Sequence, residues 1–163
     1  MKKWMIIGIL AVLVIGMVLI SGCTSSNSQS AAPSSSPSGD QAAVAKMSEM
    51  NNWMSPTIQV IGDSATSGDY TKMGLNSALL KRYIDQNLPE MRQLAASATT
   101  KKAAAQEYVA FLEDLRTSSD LGVQATDKYN SGDISGSTNA MNAGSKYLDQ
   151  ASTHMKQAMA LLK

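Results

Sequence analysis

The chain has 163 residues, with 14 Lys and Arg against 13 Asp and Glu, 5% aromatic residues and a single cysteine. Near-neutral charge and few aromatic residues beside basic ones exclude a nucleic-acid footprint, whether phosphate-binding or base-stacking. One thiol excludes an internal disulfide, so any folded part must hold together by packing.

The chain starts with the basic pair Lys2 and Lys3, followed by an uncharged apolar run over residues 4–20. As a helix that run would measure about 25 Å, at the short limit for crossing a bilayer core. Length therefore leaves a signal peptide and an anchor helix both open. The tetrapeptide that follows, Ile20-Ser21-Gly22-Cys23, resembles the lipobox of bacterial and archaeal lipoproteins. There a branched apolar residue and two small ones let a processing enzyme reach the backbone, and a thiol is left to carry lipid. The whole leader is similar to those of small archaeal lipoproteins of the methanogen type, or of their bacterial counterparts. The resemblance implies removal of residues 1–22, lipidation of Cys23 and a place on the outer face of the cell membrane; it does not extend to the rest of the chain. The basic start independently favours a cytoplasmic N-terminus, which puts everything after Cys23 on the extracytoplasmic side.

Residues 24–39 carry no charge and no large apolar side chain but contain eight Ser together with Pro33 and Pro37. Such a stretch buries too little surface to offset its ordering entropy and reads as a disordered tether, so residues 23–40 link the lipid to a domain at 41–163. A flexible chain of that length spans roughly 20–25 Å.

From Asp40 onward a 3.6-residue apolar rhythm predicts four amphipathic helices. The first, over about 41–63, lines up Met47, Met50, Met54, Ile58 and Ile61, with a kink or restart expected at Pro56. The second, about 69–96, aligns Met73, Leu80, Ile84, Leu88, Met91 and Leu94, and Pro89 should bend it. The third, about 100–129, presents Ala104, Tyr108, Phe111, Leu112, Leu115 and Ala125, with Ser97-Ala98-Thr99-Thr100 supplying its N-cap. The fourth, about 133–162, uses Ile134, Met141, Leu148, Ala151, Met155 and Leu162. Long helices with short connections favour antiparallel neighbours, so the expected fold is all-α: an up-down-up-down four-helix bundle after an N-terminal signal or anchor helix.

A shift of 64 residues aligns Ser67-Gly68-Asp69 with Ser131-Gly132-Asp133, Tyr83 with Tyr147, Asp85-Gln86 with Asp149-Gln150, and Met91 with Met155. This is the pattern of a duplicated helical hairpin. In each copy Gly would leave one helix through a positive φ and Asp would cap the next.

Chemistry is sparse. The only histidine, His154, sits on the fourth helix between Ala151 and Ala158, on the border of its apolar stripe. In helix order and ligand types this resembles haem-binding four-helix-bundle cytochromes, in which a methionine of the first helix and a histidine of the last hold the iron. Met47, Met50 or Met54 would be the partner. The same thioethers and imidazole suit Cu(I), but methionine at core spacing also serves as flexible filler. No nucleophile elbow accompanies His154, and the adjacent Glu113 and Asp114 point in different directions on a helix. No Glu-x-x-His pair is present for a di-metal centre. The aromatic residues Trp53, Tyr83 and Tyr147 read as core-boundary packing with hydroxyls in water, or as an anchor for a protein partner. The expected protein is therefore not an enzyme but a membrane-anchored binding or structural module of the cell envelope, with a protein partner and no cofactor. The alternative is a haem or copper carrier using His154 and the methionines.

Overall fold

The computed structural model describes residues 38–163. The expected signal peptide at 1–22, Cys23 and the expected tether up to residue 37 lie outside the described residues. Four helices follow one another: α1 (Gly39–Ser67), α2 (Tyr70–Ser97), α3 (Lys102–Asn130) and α4 (Ile134–Leu162). Each has 28 or 29 residues, about 42 Å of helix, and consecutive helices pack together as a four-helix bundle. Among the described residues no helix is long and apolar enough to cross a membrane.

The helices begin and end for local reasons. Gly68 and Gly132 take φ of 80° and 83°, the left-handed region that Gly enters without a steric cost. After each comes an aspartate cap of matching backbone: Asp69 at φ −81°, ψ 75° and Asp133 at φ −80°, ψ 75°. Their carboxylates accept from the N–H groups of Lys72 at 2.9 Å and Gly136 at 2.7 Å. The 64-residue repeat thus reappears as two equivalent turns. The helix before the first turn runs four residues past the expected end at Asp63. Gly62 is helical because the Thr66 hydroxyl donates back to its carbonyl and Ser67 does the same to Ser64, so small polar residues extend the helix to Gly68.

Neither proline restarts a helix: α1 runs through Pro56 and α2 through Pro89. Both lie on exposed faces, as do Asn52 and Asp85 one turn earlier, whose carbonyls lose their N–H partner and are left to water.

The start of α3 corrects the sequence reading. Its cap residue is Lys101, whose side chain makes no capping bond. The threonines do not cap it either. Instead the Asp40 carboxylate, on the first turn of α1, accepts from the backbone N–H of Thr99 (2.8 Å), Thr100 (3.1 Å) and Lys101 (3.0 Å) and from both threonine hydroxyls. An anion beside a helix N-terminus also meets a favourable dipole. Gly39 is as tightly placed, since a Cβ there would lie 2.7 Å from the Ser97 carbonyl oxygen. Lys101 Nζ in turn donates to the Leu162 carbonyl at 2.9 Å. The chain entry, the α2–α3 turn and the end of α4 are thereby gathered at one end of the bundle.

Most of the expected core residues are buried, with Met47, Met50, Met54, Ile84, Met91 and Phe111 at 1% exposure or less. One expectation fails: Ile134 is 56% exposed, because it occupies the first residue of α4 beyond the end of the packed seam. Tyr108, on the expected apolar face of α3, is wholly buried; its hydroxyl donates to Asn51 Oδ1 at 2.7 Å and lies 3.2 Å from the Met47 carbonyl. This pair ties α1 to α3 diagonally across the core. The inner face of α4 is built mainly from Ser137, Ala140, Gly144, Ala151, Ser152 and Ala158, so α4 lies close to α3 while α1 and α4 barely approach.

Two predictions follow from these contacts. A Cβ on Gly74 would come within 2.8 Å of the Thr126 side chain, whereas on Gly144 its nearest neighbour is 3.5 Å away. Both changes to Ala gain about 1 kcal/mol of helix propensity, but overpacking costs about 1–3 kcal/mol. Gly74→Ala should lower the thermal unfolding midpoint and Gly144→Ala raise it. For Asp40, the Thr100 hydroxyl bond and the backbone N–H of Lys101 hold the carboxyl far below its ordinary 3.8. A depressed folded-state value means stability that is present above pH 3.8 and lost as pH falls below it. Asp40→Asn, which cannot accept at both positions, should lower the midpoint at neutral pH and flatten its decline in acid.

Candidate functional site

Where small residues of α3 and α4 face the bundle interior, a gap remains. A cavity of about 90 Å³, partly open to solvent, is lined by all four helices. From α1 come Ile58, Ile61, Gly62 and Ala65; from α2, Met73, Ser77 and Leu80. The α3 wall is Leu115, Ser118, Ser119 and Gly122, and the α4 wall runs from Ala140 and Met141 through Gly144 and Ser145 to Leu148. The cavity lies in the half of the bundle that ends in the Gly68 and Gly132 turns, away from the chain entry. Its lining is mostly apolar, and the Ser119 hydroxyl is turned to its own helix, donating to the Leu115 carbonyl at 2.8 Å. No ion pair joins α1 to α4 among the described residues.

His154 is elsewhere, on the α3–α4 seam. Its Nδ1 lies 2.7 Å from Glu107 Oε2 and its Nε2 3.7 Å from Asp114 Oδ2, with about a third of the imidazole exposed. Burial pushes the Asp114 carboxyl above its ordinary value; His154 opposes that shift and Glu113 adds to it. The two carboxylates address opposite ring nitrogens, so one metal ion cannot take His154 and both of them without rearrangement. Among the described residues no group of three or more His, Cys, Asp or Glu side chains is placed to hold a metal.

Met47, Met50 and Met54 are sealed in the core. Neither they nor His154 line the cavity, and the structure does not bring the imidazole to the sulfurs. A haem or copper site built from these residues would require the His154 ring to leave its carboxylates and the core to open. Nothing in the sequence placed Glu107 beside His154, because the pairing depends on the rotation of α3 against α4.

The remaining charged side chains are largely neutralised across the wet faces. Arg116 bonds Asp85, which lowers that carboxyl; Arg92 pairs with Glu113 at 2.7 Å and Lys46 with Glu90 at 2.8 Å. On the α1–α2 face Trp53, 40% exposed, stacks flat on Tyr83 with ring centroids 3.8 Å apart. Tyr147, the repeat counterpart of Tyr83, is also exposed but has no such stack among the described ring pairs.

Removing the imidazole tests the seam. His154→Ala takes away the group that lowers the Asp114 value, so carboxyl-detected NMR titration should find Asp114 titrating higher still, while Glu113→Gln should bring it down. Because the Asp114 carboxyl is already raised, its protonated form favours the fold; stability from it is present at low pH and lost as pH rises through the raised value. Comparison with protein-family models, curated proteins and solved structures finds no match for this chain.

Proposed function

We propose that this protein is a non-catalytic binding module, held at the extracytoplasmic face of a membrane by lipid on Cys23, which presents the four-helix groove to a ligand or partner. The groove is the observation that carries the reading. A closed bundle acting only as a spacer needs no apolar opening through all four helices, and empty apolar space forfeits packing. The polar groups with catalytic potential support the same reading, since His154, Glu107, Asp114 and Asp85 are engaged with one another or with arginine on open faces rather than converging on a pocket.

The direction of presentation agrees. The tether would join at Ser38, beside Asp40 and the α2–α3 turn, and the groove occupies the opposite half of the bundle.

Two experiments test the two parts. Cys23→Ser should abolish incorporation of labelled lipid and release the processed chain from membranes, or stop processing; full retention with unchanged mobility would replace the lipid by an anchor helix. A photoreactive residue in place of Ser145, at the groove, should give a discrete adduct in native membranes that is missing when the same residue replaces the exposed Gln106. No adduct at position 145 would remove the binding reading.

A further inference from the structure

The α1–α2 face carries apolar side chains that the bundle does not need. Leu75 is 63% and Leu79 49% exposed, and the exposed Trp53 indole lies flat on Tyr83, one helical turn beyond Leu79. Lys72, Leu75, Leu79 and Arg82 follow at spacings of three, four and three, so they form one exposed stripe along about 15 Å of α2. The repeat shows that the hairpin folds without it. At the 64-residue shift the Gly132 turn, the Asp133 cap and Tyr147 are kept, but Gly136, Asn139 and Ala143 stand in place of Lys72, Leu75 and Leu79, and Thr117 in place of Trp53. Of the stripe only Arg82 has a like counterpart, in Lys146.

Charge decides what can cover this stripe. Neither Lys72 nor Arg82 makes an ion pair among the described residues, and α2 has no carboxylate between Asp69 and Asp85. The pattern is two leucines between two cations. A second copy fits it badly: α2 packed antiparallel on itself sets Lys72 against Arg82, and packed parallel it sets each cation against its own copy. An anionic bilayer fits every part. Leucine and an indole settle at the boundary of headgroups and acyl chains, while Lys and Arg lay their stems on the apolar surface and keep their charges among the phosphates.

We infer that the α1–α2 face docks side-on against an anionic phospholipid surface, with Leu75, Leu79 and Trp53 at the boundary and Lys72 and Arg82 on the phosphates. This rests on the membrane placement proposed above, though not on the groove. With α1 lying along the bilayer, Ser38 stays within the roughly 20–25 Å reach expected of the tether. The tether also holds the face at high local concentration, so a shallow contact is enough.

The test uses the full chain, purified from its native membrane and reconstituted in vesicles, with a nitroxide on Leu75→Cys or, at the equivalent position of the repeat, on Asn139→Cys. In equal parts of phosphatidylglycerol and phosphatidylcholine the label at 75 should be shielded from an aqueous nickel chelate and open to oxygen, while the label at 139 stays in water. Phosphatidylcholine alone should leave both in water. Lys72→Gln combined with Arg82→Gln should lower the docked-to-undocked ratio roughly 30-fold, and salt of about 1 M, which shortens the screening length to about 3 Å, should lower it too. The lipid and salt arms need no charge variant, so they decide the matter whether or not the double variant folds. Equal exposure of 75 and 139 in anionic vesicles, or shielding at 75 that persists unchanged in phosphatidylcholine or in the folded double variant, would overturn the proposal. Shielding at 75 in native membranes but not in vesicles of their extracted lipid would overturn it in favour of an acidic protein partner. Label taken up by the unsubstituted chain would mean that Cys23 carries no lipid; the lipid-anchor reading would fail, and the comparison of 75 with 139 would still decide the docking.

Discussion

The close approach of α3 and α4 sets the shape of everything else in the bundle. Interaxial distance depends on what stands between two helices, and the buried face of α4 is, Met155 apart, made of the small residues Ser137, Ala140, Gly144, Ala151, Ser152 and Ala158, with Gly144 set against Ser118 and Leu121 of α3. These side chains cannot hold two helices apart. With α4 drawn toward α3, and α1 filled with methionine and isoleucine, the fourth side of the bundle cannot close as tightly as the other three. The groove lies where these small residues of α3 and α4 face the larger side chains of α1 and α2.

That asymmetry is tolerable because α1 is secured by other means. Asp40 joins its first turn to the α2–α3 turn, Tyr108 reaches it through Asn51 in the core, Lys46 pairs with Glu90, and Trp53 stacks on Tyr83. All of these attachments lie on the chain-entry side of Pro56. Beyond it, α1 is held chiefly by apolar contact with the groove walls and by the turn at Gly68. The end of the bundle where the chain enters is thus cross-linked by hydrogen bonds, whereas the end bearing the groove is held by packing.

Charge plays a supporting part. Exposed ion pairs each contribute little, but those here join neighbouring helices in sequence, α1 to α2 through Lys46 and α2 to α3 through Arg92 and Arg116, and the His154–Glu107 hydrogen bond joins α3 to α4. They favour one rotation of each helix against the next and leave the α1–α4 seam without a counterpart. His154, the candidate haem or copper ligand of the sequence, is part of this set of inter-helix contacts.

The sequence by itself determined the helices, their order and most of the buried face, because a 3.6-residue apolar rhythm and the Ser-Gly-Asp turns act within a few residues of chain. The matching caps at Asp69 and Asp133 were readable for the same reason, and Ser64 to Ser67 misled only through their likeness to a loop. Tertiary structure alone decided that Asp40 caps α3, that Tyr108 is buried with its hydroxyl bonded, and that His154 meets Glu107 and Asp114. Each joins residues some forty to sixty positions apart, and no local periodicity encodes how one helix is rotated against another. The groove belongs to the same class, since it exists only where the widths of four separate side-chain stripes fail to match.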